Sequence, residues 1–313
     1  MADSQHHEPA AAESLQACRL EGFGLSLGAD VGGDPGAPVV VLLPGAGQTR
    51  RAWRSAARAL VEQGYRVLSI DLRGHGESDW APDGNYTINA FVADLDLVTA
   101  GLARPVVLVG ASLGGIAALI LAAAHPERIA GLVLVDVVPR MEPEGLARIR
   151  AFMTGHANGF ASVQEASDAV ATYLPHRRRP TSTRGIERSL RRGADGRWYW
   201  HWDPAFHSGS DQRSKGGMFE RMAACAAQLT TPTLLVSGRS SEVVGREGAR
   251  DLLRLIPHAR WIDVEGASHM VAGDRNDAFV AAIEPFLAEA LDASRGDRGS
   301  RTDESNRGVD IDD

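Results

Sequence analysis

Two cysteines, Cys18 and Cys225, are all that 313 residues hold. Two thiols so far apart make no disulfide framework, and neither has the close Cys/His spacing of a zinc site. This usage suits a reducing compartment, so a cytoplasmic protein is expected. Long apolar runs are also missing. The helix-like stretch Ile116 to Ala124 falls well short of the ~18 residues of a membrane span. The segment Met1 to Glu8 has neither a basic start nor an apolar run, and so does not read as a secretory signal. Lysine occurs once, at Lys215, which leaves the positive charge to scattered arginines. Acidic residues outnumber basic ones by 40 to 33, for a net charge of −7. Such a chain offers a phosphate backbone little to hold, so no nucleic-acid partner is expected, and no membrane.

With 44% hydrophobic and 23% charged residues, the composition excludes a disordered chain as the main reading. Short, β-branched apolar runs recur: Val39–Leu43, Arg66–Ile70, Val106–Val109, Leu132–Val135, Thr233–Val236 and Arg260–Val264. Runs of about five residues that are apolar on both faces predict buried parallel strands. Helical patterns lie between them, at 50–63, 88–102, 113–124, 246–256 and 275–291. The alternation predicts an α/β architecture, a mostly parallel sheet with helices on both faces. Phe23 to Val31 is expected as an antiparallel edge hairpin. The alternation stops after Val138. Helical stretches at Glu144–Met153, Ser162–Tyr173 and Gly216–Gln228 follow, with an aromatic cluster from Trp198 to Trp202. The expected organisation is a core of 19–138 and 228–292, a mainly helical cap of 139–227, and tails at 1–18 and 293–313.

The sharpest chemical signal is Gly110-Ala111-Ser112-Leu113-Gly114, which follows a predicted strand and opens a predicted helix. In that context Gly-x-Ser-x-Gly is a nucleophile elbow. The turn is tight enough to strain the serine and to require small neighbours. In return the Ser112 hydroxyl stands at a helix N-terminus, where developing negative charge is favoured. A second signal is Leu43-Pro44-Gly45-Ala46-Gly47-Gln48, after the first core strand. The N–H groups of Ala46 and Leu113 are suited to an oxyanion hole. The third is Gly266-Ala267-Ser268-His269-Met270, just past the last predicted strand. Of ten histidines, His269 alone falls at the edge of the sheet that carries Ser112, where it can act as general base and then acid.

Nucleophile and histidine, in that order, resemble the α/β-hydrolase superfamily. Asp71-Leu72-Arg73-Gly74-His75-Gly76-Glu77-Ser78 and His125-Pro126-Glu127-Arg128 strengthen the resemblance, which covers about residues 20–292. It implies an α/β-hydrolase fold with the cap inserted after the strand ending near Val135. It also implies an acid that orients His269, and here the chain departs from the family. Ser241 stands where the family usually has an aspartate after the fifth core strand, and Glu242 follows it. Glu242 is the first choice for the acid, and Asp136, at the end of the strand after the nucleophile helix, is the alternative. Pro44-Gly45 replaces the usual His-Gly, which leaves the oxyanion N–H in place.

The cap aromatics Trp198, Trp200 and Trp202 alternate along the chain and, with Met270, are candidates to line an apolar substrate pocket. They serve equally as the cap's own core. The expected protein is a serine hydrolase without metal or organic cofactor. Its expected partner is a small-molecule ester or lactone with an apolar part, cleaved through an acyl-enzyme. The same residues suit carbon–carbon bond hydrolysis or cofactor-free haloperoxidase or perhydrolase chemistry. A binding protein that keeps the fold is the non-enzymatic alternative.

Overall fold

The computed structural model describes residues 15–175, 177, 182–208 and 217–304, with backbone alone from 294 onward. Among these residues ten strands and eleven α-helices follow in chain order. They are β1 (Gln16–Gly22), β2 (Leu25–Gly32), β3 (Val39–Leu43), α1 (Arg54–Glu62), β4 (Arg66–Ile70), α2 (Ile88–Ala100) and β5 (Val106–Ala111). Next come α3 (Ser112–Ala124), β6 (Ile129–Val135), α4 (Pro143–Thr154), α5 (Val163–Tyr173), α6 (Arg184–Glu187), β7 (Leu190–Arg192) and β8 (Trp198–Trp200). The chain continues through α7 (Ala205–Ser208), α8 (Met218–Gln228), β9 (Thr233–Gly238), α9 (Arg246–Leu255), β10 (Arg260–Val264), α10 (Val271–Asp274) and α11 (Asn276–Glu304).

Eight strands form one sheet in the order β1-β2-β4-β3-β5-β6-β9-β10. The pairs β1–β2 and β2–β4 are antiparallel, and every other pair is parallel. Alternation within a strand divides the core. Val39, Val41 and Leu43 join the cluster that includes α2 and α3, whereas Val40 and Leu42 face α1 and α11. Both faces are covered, which is why β3 is buried along its whole length. Helix α3 is buried from Leu113 to Ala122, so it carries no polar stripe.

The expected strands and helices stand where the sequence puts them, to within a few residues. The edge hairpin differs. It starts at Gln16, pairs Gln16 with Val31 and turns at Phe23-Gly24, so residues 16–18 belong to the sheet and not to a tail. At the other end α11 runs on to Glu304, through Ala, Arg, Asp and Glu that suit a helix, past the boundary expected at 293. Residues 1–14 and 305–313, the rest of the expected tails, lie outside the described residues. Between β6 and β9 the chain is mainly helical, with one two-stranded antiparallel ribbon of β7 and β8. Among the described residues no helix is long and apolar enough to cross a membrane.

Candidate active site

Parallel register brings four strand ends to one edge of the sheet. Leu43 of β3 lies beside Gly110 of β5, Ala111 beside Val135 of β6, and Val135 beside Val236 of β9. Ser112 turns directly out of β5 into α3 with a left-handed φ of 45°. A side chain there costs roughly 1–3 kcal/mol, which the surrounding packing must hold. The packing is close enough to do so. A Cβ on Gly110 would stand 2.6 Å from the backbone of Gly115, and one on Gly114 would stand 2.6 Å from the carbonyl oxygen of Pro44. The loop of Pro44 to Gln48 therefore sits directly on the serine turn. Gln48 braces that loop by accepting from the Gly45 N–H at 3.1 Å. In the first turn of α3 the N–H of Leu113 has no partner within its own helix, and Ala46 lies on the cavity wall beside Ser112.

Only one other non-glycine residue among those described has a positive φ, and it is Asp136, at 51°. It follows β6 and is completely buried. His269 Nδ1 donates to Asp136 Oδ2 at 2.7 Å. The same oxygen accepts from Ser241 Oγ at 2.6 Å, and Oδ1 accepts from the Gly238 N–H at 3.1 Å. Three donors thus address one buried carboxylate. The loop that carries His269 is fastened in turn. Asp274 accepts from Ser268 N at 2.9 Å, and Ser240 N donates to Ala267 O at 3.0 Å.

The preference for Glu242 as the acid is corrected by this geometry. The turn closed by Ser241 N donating to Gly238 O directs Ser241 toward Asp136 and buries Val243 and Val244 beneath it. Glu242 is left pointing outward, where it pairs with Arg148 of α4. Ser241, at the family's usual acid position, hydrogen-bonds Asp136 instead. Its Oγ also accepts from the N–H groups of Val243 and Val244, at 3.1 Å each.

Ser112, His269 and Ala46 face a cavity of about 450 Å³. Ile149, Phe152 and Met153 of α4, Val170 of α5, and Trp200, Trp202 and Met270 make most of its wall apolar. The Trp200 and Trp202 rings stack with centroids 5.1 Å apart. Trp198, the third tryptophan expected as a candidate for this wall, is not part of its lining. It is one strand repeat further out, bridges to Phe160, and lies under the Arg192 guanidinium.

His201 gave no signal in the sequence and yet links cap and core. Its Nδ1 accepts from the Gly76 N–H at 2.8 Å, so the ring is neutral with its proton on Nε2, and it also bonds to the Gly47 backbone. Burial, helped by nearby His75, holds its pKa down at about 3. The segment Asp71–Ser78 likewise has a structural part. Asp71, Asp30 and Glu77 surround Arg50, and Arg73 forks onto Asp94 at 2.7 Å through both Nε and Nη2. These bonds fasten the loops after β3 and β4 beneath the cavity.

Comparison with known proteins agrees with this geometry. A family model described as the alpha/beta hydrolase fold matches residues 38–275. An esterase of Mycobacterium tuberculosis, Rv0045c, is 34% identical over 259 residues, covering 80% of this chain and 83% of the relative. Its solved structure superimposes with a TM-score of 0.70 at 31% identity, over 88% of this chain and 92% of that one. The sn-1-specific diacylglycerol lipase ABHD11 of Mus musculus is 29% identical over 272 residues, covering 82% of this chain and 83% of its own. An alpha/beta hydrolase of Novosphingobium aromaticivorans gives a TM-score of 0.74 at 28% identity, over 88% and 98% of the two chains. With the elbow, the sheet order and the family match in agreement, this chain belongs to the α/β-hydrolase fold family and is a serine hydrolase.

Proposed function

We propose that the protein hydrolyses a carboxylic ester or lactone with an apolar moiety, through an acyl-enzyme on Ser112. The observation that carries this reading is the 2.7 Å bond from His269 to Asp136 beside a serine held at φ 45° on the wall of an apolar cavity. Ser112 Oγ attacks the carbonyl carbon while His269 Nε2 takes its proton. Asp136 keeps the remaining proton on Nδ1 and stabilises the imidazolium. The N–H groups of Ala46 and Leu113 receive the oxyanion, each worth about 3–4 kcal/mol in the transition state. His269 then returns the proton to the leaving alkoxide. Water, deprotonated by the same imidazole, releases the acid and frees Ser112.

Residues 139–227 act as a cap whose aromatic wall takes the apolar part of the substrate. Relatives named as esterases and as a lipase support an ester. The two free thiols are in keeping with a cytoplasmic location. The direct test is Ser112→Ala with a p-nitrophenyl ester. Turnover is expected to fall to the uncatalysed rate while the melting temperature holds. Retained turnover would remove Ser112 from the mechanism.

A further inference from the structure

The charge around the cavity is uneven for a chain of net charge −7. Four arginines line it, Arg51, Arg54, Arg177 and Arg188, and no aspartate or glutamate among the described residues does. Two of the four are balanced from behind. Arg51 pairs with Glu77 at 2.7 Å, and Arg177 with Asp274 at 2.6 Å. Arg54 and Arg188 are not: among the described residues neither has an ion-pair or hydrogen-bond partner for its guanidinium, and both are exposed. They come to the cavity from separate elements. Arg54 opens α1, just beyond the oxyanion loop, and Arg188 follows α6. A second cavity of about 300 Å³ shares Thr49, Arg51, Arg188 and His201 with the first and extends the space at that side. Its one acid, Glu77, is already held by Arg50 and Arg51.

Apolar residues of α4, α5 and the tryptophan pair make up much of the remaining wall, so the site has an oily part and a cationic part. Guanidinium groups recognise carboxylate and phosphate oxygens through paired, charge-assisted hydrogen bonds. Two guanidinium groups on the lining of one cavity, both without a partner among the described residues, can together receive an anionic oxygen group. We infer that the substrate of this hydrolase is an ester with an apolar part and an anionic oxygen group on one arm, a carboxylate or phosphate, bound by Arg54 and Arg188 on the lining of the cavity. This rests on the ester-hydrolase reading above and adds the charge of the substrate to it.

The test compares esters that carry, on either arm, a carboxylate or the neutral carboxamide of the same shape. Mono-p-nitrophenyl adipate is set against its amide, and p-carboxyphenyl hexanoate against p-carbamoylphenyl hexanoate. On one arm kcat/KM is expected to favour the anion by about tenfold or more at low salt. The ratio should shrink at high ionic strength. It should fall toward one in Arg54→Gln/Arg188→Gln and recover in part in Arg54→Lys/Arg188→Lys. Both positions are exposed, and melting curves check that the variants fold. Hexanoate and hexyl phosphate, used as competitive inhibitors, tell the two anions apart by which has the lower Ki. The inference is overturned if neutral esters turn over while both ratios stay near one. It is also overturned if the ratio ignores the double substitution, or if neither inhibitor binds better than hexanol. In those cases the ester reading survives. Absence of turnover on every ester, with no labelling of Ser112 by a fluorophosphonate, would instead overturn the ester reading and this inference with it.

Discussion

Replacing Asp136 with asparagine keeps the shape of the side chain and removes one of two oxygens that three donors address. The donors are His269 Nδ1, Ser241 Oγ and the Gly238 N–H. An amide can place only one oxygen among them. If its NH2 takes the Oδ1 position, it faces the Gly238 N–H, a buried donor against a donor, at a cost of about 1–3 kcal/mol. If the NH2 takes the Oδ2 position, the imidazole must turn its lone pair to Nδ1. The proton then sits on Nε2, where Ser112 needs a base. Either arrangement leaves a defective site, and a loss in kcat of about 10³–10⁴-fold is expected. Glu242→Gln breaks only its exposed pairing with Arg148, an interaction worth at most about 1 kcal/mol of stability, and should change kcat less than about threefold. The assay is kcat and KM for a short p-nitrophenyl ester on both variants, with melting curves alongside. Small and equal losses would refute the reasoning, as would a larger loss from Glu242→Gln.

Gly238→Ala should lower both activity and stability. Its Cβ would fall 2.2 Å from the carbonyl oxygen of Ser268, so the loop that carries His269 must move; a cost of about 1–3 kcal/mol in chemical unfolding, with a drop in kcat, is the expected pair. His201 predicts acid sensitivity. Its folded pKa of about 3 lies below the ordinary unfolded value of ~6.5, so the folded state binds fewer protons between them and stability is lost as pH falls through that window. Denaturant titrations from neutral to acid pH should show a shallower decline in His201→Gln than in the native chain; parallel curves would contradict the assignment. Trp202→Ala should enlarge the apolar cavity and move the preferred acyl chain of p-nitrophenyl esters to greater length, and an unchanged preference would take Trp202 out of substrate selection.

Much of the architecture was legible because its rules are local. Val39–Leu43 and Leu132–Val135 are short and apolar at every position, as strands covered on both faces are. Gly110 to Gly115 announced the elbow, since no side chain fits between the helix turn and Pro44. The acid was less legible because its choice depends on a tertiary event. Whether Ser241 or Glu242 turns inward is decided by burial of Val243 and Val244, which neighbouring residues do not reveal. Asp136 carried a weak local sign, since aspartate tolerates the left-handed conformation better than most residues, but that conformation is visible only in the fold. His201 lay among cap aromatics with nothing to mark it, because its partners, Gly47 and Gly76, are distant in sequence. The early start of β1 escaped notice since Gln16 to Gly22 alternates weakly and its outer edge is solvent-exposed.

An activated hydroxyl at Ser112 is the centre of the account, and intact-protein mass spectrometry after incubation with a fluorophosphonate measures it most directly. One phosphonyl group per chain, mapped to the peptide that contains Ser112, is the predicted result, with labelling lost in Ser112→Ala and slowed greatly in Asp136→Asn. An unlabelled chain, or labelling that persists without Ser112, would contradict it.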